Sequence, residues 1–362
     1  MSDRLRVTYR ISGNDPRRVA EAIRVEQTIE FPFDLAPDWI QQQIVGQIDF
    51  FGESVTGPAE VAISYNPEIF AGQISAFLNV LWGNVSLFPG VRIVGLEIPD
   101  SFLKNFSGPK FGVSGLRKLF GAENRPLLTT AIKPMGLSTS ELVKMSTTLA
   151  EAGFDIIKDD HSLANQPWAR WRERVVAISE AVAKVNSKNG TKVAYAPSLN
   201  LPADEIREAA LFAREHGAGA LLMLPGLQGF DLIRVISDEV GLPIMGHPTM
   251  LGSLVTSPDS GMSHGIVFGT LMRLAGADIS IFPNHGGRFS FSPSECREIA
   301  AACKNPLGDL SPIWPAPAGG MSAERVPEIL TFYGKDAALL VGGALHRGDL
   351  AVNAKILRDA AN

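Results

Sequence analysis

The sequence predicts an α/β protein: a C-terminal (β/α)8 TIM barrel over 121–362 preceded by an N-terminal α+β, ferredoxin-like domain over 1–120. Two observations carry that prediction. From about residue 124 short apolar runs alternate with amphipathic stretches eight times, and eight parallel βα units are the number that closes a barrel. The first run leads into Lys133-Pro-Met-Gly136 with no GxGxxG, the motif a doubly wound open sheet usually carries after its first strand.

Within 1–120 the strand-like runs RLRVTYRI and PAEVAISYN flank a helix expected over 16–25, and GVRIVGLEIP near 90–99 reads as a further strand. The Gly- and Pro-containing stretch from Phe106 to Arg125, with a short basic helix, reads as the connection. The barrel strands are expected at 127–134, 154–160, 192–199, 219–226, 242–248, 277–284, 310–320 and 337–343. Helices follow them. Over 203–216, Ile206, Ala209, Ala210 and Ala213 form one stripe, and 292–303 opens on Ser292-Pro293, a helix-start signal.

A chain of 362 residues, 45% hydrophobic and 20% charged, is ordinary for a soluble enzyme and long enough for a sizeable core. The net charge of −5 and pI near 5.8 argue against nucleic acid and anionic membranes as partners. The polar start MSDRLRVTYR lacks a signal-peptide core, and no apolar run reaches the ~20 residues of a membrane span. Cys296 and Cys303, seven apart on one helical stretch, read as packed, reduced thiols. The expected compartment is the cytoplasm.

Active sites of such barrels sit at the C-terminal strand ends. Reading those ends in order gives Lys133, then Lys158, Asp160 and His161, then His247, then Asn284-His-Gly-Gly-Arg288, then Gly319-Gly320 and Gly342-Gly343. Lys158, Asp160 and His161 make an oxygen/nitrogen metal site if carbon dioxide converts the lysine to a carbamate; the bland reading is a solvated charged loop. Burying these groups together would cost several kcal/mol each unless they are paired or ligate a cation. The Gly-Gly pairs leave bare backbone N–H groups where these barrels bind phosphate, so a phosphorylated small-molecule substrate is expected. A divalent cation would polarise a carbonyl while Lys133 shuttles a proton, with His247 as a further catalytic candidate and Arg288 as a substrate-binding one. Metal-stabilised enolate formation suits these parts best. Two rivals stay open: a non-catalytic protein that keeps only the phosphate pocket, and an aldolase using Lys133 as a Schiff-base nucleophile.

Over essentially the whole chain the motifs Gly83-Asn84-Val85, Arg125-Pro-Leu-Leu, Ile132-Lys133-Pro, Gly153-Phe-Asp-x-x-Lys158-Asp-Asp160, Ala318-Gly-Gly320 and Gly342-Gly343 resemble the large chain of ribulose-bisphosphate carboxylase (RuBisCO). The resemblance implies a homodimer with sites shared between subunits, a carbamate on Lys158 holding Mg²⁺ with Asp160 and the next residue, and Lys133 as the enolising base. It also implies that Glu26 and Asn84 reach the partner's site.

The departures are chemical. His161 stands where the carboxylases have a glutamate ligand, which admits Mn²⁺ or another divalent ion beside Mg²⁺. Pro248 replaces the arginine for a second phosphate, the second lysine after Lys133 is missing, and the loop 284–289 has no lysine. Carbon fixation is therefore not expected, and the chain resembles the non-fixing RuBisCO-like proteins (form IV). Of their chemistries, the resemblance leads us to expect decarboxylation or transcarboxylation/hydrolysis of 3-oxo-isoapionate 4-phosphate, reached by elimination. The alternative is enolisation or isomerisation of methylthio-sugar phosphates in methionine salvage. Asn84, where the enolase branch has a lysine, argues against the enolase.

Overall fold

The computed structural model describes residues 3–52, 57–289 and 291–362. Its first sheet contains β1 (Leu5–Ile11), β2 (Gln47–Gly52), β3 (Ala59–Tyr65) and β4 (Val91–Glu97). β1 lies antiparallel between β3 and β4, and β2 extends the sheet beyond β3. Strict alternation along β1 turns Leu5, Val7, Tyr9 and Ile11 inward, as period two demands of a half-buried strand. The helix Pro16–Glu26 covers this sheet, started by the Asp15 side chain and by proline at its first turn, with Ala20 and Ile23 buried.

The second sheet is all parallel. Its eight strands are β5 (Leu127–Ile132), β6 (Ile156–Asp159), β7 (Ala194–Ala196), β8 (Leu221–Met223), β9 (Ile244–Gly246), β11 (Ile279–Pro283), β12 (Trp314–Ala318) and β13 (Ala338–Val341). Each falls inside one of the eight apolar runs. The ring closes between β7 and β8 through the Ser198–Leu222 bridge, where Leu199 N–H donates to the Leu222 carbonyl over 2.9 Å. Buried on both faces, these strands are continuous apolar runs. The helices obey their local signals: Ser292 and Glu295 form a reciprocal capping box at Pro293–Lys304, and Ile206, Ala209, Ala210 and Ala213 are the buried stripe of Ile206–Glu215. Cys296 and Cys303 are buried free thiols.

Two features depart from the sequence reading. The helix Gly112–Phe120 does more than connect: Leu116 and Phe120 pack with Leu127, Ile279 and Trp314 inside the barrel and form its floor. The Asp278 carboxylate accepts from the Phe111 and Gly112 N–H groups at 2.8 Å each and pins that helix from below. Second, β10 (Gly261–Met262), from the chain after β9, pairs in parallel with β4, and Arg92 of β4 donates to the carbonyls of Ser257 and Ser260. The barrel half thereby supplies an edge strand to the N-terminal sheet. Among the described residues, no helix is long and apolar enough to cross a membrane.

Candidate active site

Alternation along the barrel strands decides which polar side chains meet. Leu127, Ile156, Met245, Ala338 and Leu340 pack in the lumen, whereas Leu128, Ile132, Ile157, Ile244 and Val341 pack against the outer layer. Counting by two from the first set brings Lys133, Lys158, Asp160, His247 and Gly342 to the lumen at the C-terminal mouth. The β5–β6 register pairs Ile132 with Asp159, so Lys133 and Asp160 fall side by side one step further on. Their Nζ and Oδ2 atoms are 3.0 Å apart.

Asp160 is the hub. Its Oδ1 lies 3.2 Å from His161 Nδ1 and accepts from Ser162 Oγ at 2.9 Å. Burial alone would push its titration up. The His161 hydrogen bond and the charges of Lys133 and Lys158 outweigh that and hold the carboxyl well below the ordinary carboxylate range. Lys158 is 2% exposed, and its Nζ donates to the Asp159 carbonyl at 3.0 Å. Burial first, and the Lys133 charge after it, bring the Lys158 ammonium down to about 8 against the pull of Asp160 and Asp159. A lysine so placed has an accessible free-amine form, the form that adds carbon dioxide.

Asp159 belongs to a different structure. It points outward, where Arg174 Nη2 meets its Oδ2 at 3.1 Å with both side chains fully buried. Tyr195 Oη donates to Oδ1 at 2.7 Å, and Ser198 N–H donates to Oδ2 at 3.0 Å. This buried network braces β6 from behind. Arg174→Met, which strands a buried carboxylate, is expected to cost about 3–5 kcal/mol of stability. Chemical denaturation checks it, and an unchanged midpoint would remove the bracing role.

His247 stacks on His161, ring centroids 4.4 Å apart and planes 16° apart. Its Nδ1 receives the Thr249 N–H at 3.2 Å and lies 2.7 Å from Thr249 Oγ1, which assigns the ring proton to Nε2. Burial, followed by the charges of Lys158 and His161, lowers its titration to about 2. His247 is therefore a neutral ring with an N–H to offer, not a base held in reserve.

The remaining predicted residues fall in three places. Gly319-Gly320 and Gly342-Gly343 lie at the mouth, and a Cβ built on Gly342 would sit 3.8 Å from Lys133 Nζ. Glu26 and Asn84 meet each other, Asn84 Nδ2 donating to Glu26 Oε1 at 2.8 Å, but no hydrogen bond joins them to the barrel site of this chain among the described residues. Arg288 is exposed and lies against the Phe289 ring, 4.9 Å from its centroid. Sequence reasoning missed Thr249, Ser162 and His346. Among the described residues the buried His346 Nε2 has no hydrogen-bond partner, and burial and the Lys133 charge lower its titration. Its position three residues beyond Gly343 on the same rim was the available signal.

Among the described residues no group of three or more His, Cys, Asp or Glu side chains could hold a metal ion. Asp160 and His161 supply one oxygen and one nitrogen donor, and Lys158 would supply a further oxygen only as a carbamate. With that addition the donor set suits a divalent cation.

Fold and site together define a (β/α)8 enzyme whose polar groups converge at the C-terminal mouth of the barrel. Residues 112–284 match the ribulose bisphosphate carboxylase large chain, catalytic domain. The chain is 35% identical to ribulose bisphosphate carboxylase-like protein 1 of Rhodopseudomonas palustris, over 95% of this chain and 93% of that one. It is 37% identical to 5-methylthioribulose-1-phosphate isomerase of Rhodospirillum rubrum, over 95% and 92%. A rubisco-like protein of Alicyclobacillus acidocaldarius superposes with a TM-score of 0.90 at 32% identity, over 99% of this chain and 93% of that one. The chain belongs to the RuBisCO large-chain family, among its RuBisCO-like, non-fixing members. The activity in the name of the Rhodospirillum relative agrees with the methylthio-sugar alternative better than with the decarboxylation first expected.

Proposed function

We propose that the protein enolises a monophosphorylated methylthio-ketose and returns it as an isomer, with 5-methylthioribulose 1-phosphate as the first substrate to test. The observation that carries this reading is the lumen pair of Lys133 and Asp160, 3.0 Å apart beside the backbone of Gly342. An amine held there can give and take the proton on carbon next to a substrate carbonyl. Its support in kinship is the isomerase of Rhodospirillum rubrum at 37% identity over 95% of this chain. The Bacillus pumilus 2,3-diketo-5-methylthiopentyl-1-phosphate enolase, 33% identical over 80% of this chain, makes the enolase the second reading. Asn84 in place of a lysine argues against that one.

In this proposal Lys158 as its carbamate, Asp160 and His161 hold Mg²⁺ or another divalent ion. When bound, that ion supplies Lewis-acid polarisation of the substrate carbonyl. Lys133 moves the proton at Nζ. His247 offers its Nε2–H without charging, and its ring keeps His161 from turning. Gly319, Gly320, Gly342 and Gly343 receive the single phosphate, while Glu26 and Asn84 complete the site of a partner subunit in a homodimer. Arg288 is retained only as a residue of the mouth loop.

The test is turnover of 5-methylthioribulose 1-phosphate in D₂O with Mg²⁺ and bicarbonate, followed by NMR. A new methylthio-sugar phosphate carrying solvent deuterium on carbon is the expected result. Turnover of a 3-oxo sugar-acid phosphate with release of carbon dioxide, and none of the thiosugar, would restore the decarboxylase.

A further inference from the structure

The N–H groups of Gly320, Gly342 and Gly343 find no acceptor among the described residues, whereas Gly319 follows the last β12–β13 pair, Ala318–Leu340. What holds Gly320 in place is a side chain outside the loop. Arg325 Nη1 donates to the Gly320 carbonyl at 2.9 Å. On its other edge, Arg325 Nε and Nη2 donate to Glu328 Oε2 and Oε1 at 3.1 Å each. That bidentate clasp fixes the plane of the guanidinium.

The same guanidinium lies beside the preceding loop. A Cβ built on Gly286 would stand 3.5 Å from Nη2, and one on Gly320 would stand 3.1 Å from Nη1. The two loops also touch directly: a Cβ on Gly320 would come within 3.2 Å of Gly287 Cα, and one on Gly287 within 3.2 Å of the Gly319 carbonyl oxygen. Gly319 and Gly320 have φ of +90° and +67°, conformations that need glycine. The glycines of these loops have no side chains of their own to pack, so their geometry is set by the groups around them.

We propose that Arg325, clasped by Glu328, is the positioning residue of the phosphate cradle. It draws the Gly320 carbonyl away from the anion, ties the loop after β11 to the loop after β12, and keeps the Gly320 N–H free for a monophosphate. This rests on the phosphate reading of the Gly-Gly pairs. Arg325 touches the loops rather than the ligand. Its loss raises the cost of ordering the cradle on binding, which preorganisation otherwise removes.

The experiment is calorimetric titration of the intact protein with inorganic phosphate, for wild type, Arg325→Met, Arg325→Lys and Gly343→Ala, with the melting temperature of each. Gly343→Ala alters the far side of the cradle without touching Arg325. The expected result is that Arg325→Met weakens phosphate about tenfold at a near-native melting temperature, and that Arg325→Lys, which keeps the charge but loses the clasp, recovers only part of it. The deficit should persist in about 1 M KCl, where the screening length is about 3 Å. A purely electrostatic role would let it vanish there and let Arg325→Lys bind like wild type, and either result overturns positioning. Wild-type affinity in Arg325→Met with weak binding in Gly343→Ala would overturn the inference and leave the cradle standing. No phosphate binding by the wild type would overturn the cradle itself, and the inference with it.

Discussion

Lys158→Met should abolish turnover and, in bicarbonate-free buffer at neutral pH, make the protein more stable. The two effects have one cause. Lys158 is almost fully enclosed, 2% exposed, and its ammonium is lowered to about 8 from an ordinary 10.5. A folded-state value below the unfolded one means that the unfolded chain binds the proton more readily. At and below pH 8 the folded state therefore carries the whole penalty of a buried charge, on the order of 3 kcal/mol at about 1.36 kcal/mol per unit. Between about 8 and 10.5 the wild type recovers stability as pH rises, and above that the advantage of methionine is gone. Methionine fills the volume without a charge and gives up one hydrogen bond to the Asp159 carbonyl. Thermal unfolding at pH 7 and at pH 10.5 reads the effect. A variant that is less stable at pH 7 would show that Lys158 is not a strained charge, and one that keeps its activity would show that it is not the carbamate-forming lysine. A residue kept at a cost to stability marks a functional site.

The barrel was legible because its strands are buried on both faces and separated by amphipathic helices, so eight runs such as Leu127–Ile132 stand out without alignment. The mouth was legible for the same reason: polar residues at the ends of apolar strands have few structural uses. Finer assignments failed where the determining contact is remote in sequence. Asp159 and Asp160 are adjacent and look equivalent, yet period two sends them to opposite faces. Arg174, fifteen residues on, with Tyr195 and Ser198 further along, shows which is structural. The strand Gln47–Gly52 was missed because it is largely exposed and carries no clean apolar alternation. Gly261–Met262 is two residues long, and its partner β4 lies more than 160 residues earlier, so no local pattern announces it. The floor helix Gly112–Phe120 reads as a basic linker because Arg117 and Lys118 are conspicuous. Its function comes from Leu116 and Phe120 meeting strands from the whole length of the barrel.

Lys133→Met should leave the fold, phosphate binding and divalent-ion retention near native while lowering kcat by about 10²–10⁴-fold, the span general acid–base catalysis contributes. Lys133 is joined to the site by one ion pair, to Asp160 at 3.0 Å, and its side chain is about a third exposed, so its removal opens no core cavity. Asp160 keeps His161 and Ser162 as partners and can still serve a cation. KM should move little, because an ammonium that transfers a proton is needed chiefly in the transition state. Lys133→Ala sharpens the test, since a small primary amine can enter the space and take over the proton transfer. Rescue that grows with the concentration of added amine identifies Lys133 Nζ as the proton carrier. Unchanged kcat in either variant would move the base elsewhere on the rim, with His346, whose buried Nε2 has no partner among the described residues, as the next residue to replace. Borohydride trapping of a Lys133 adduct with substrate would instead assign the Schiff-base chemistry, which needs the same amine as a nucleophile rather than as a base.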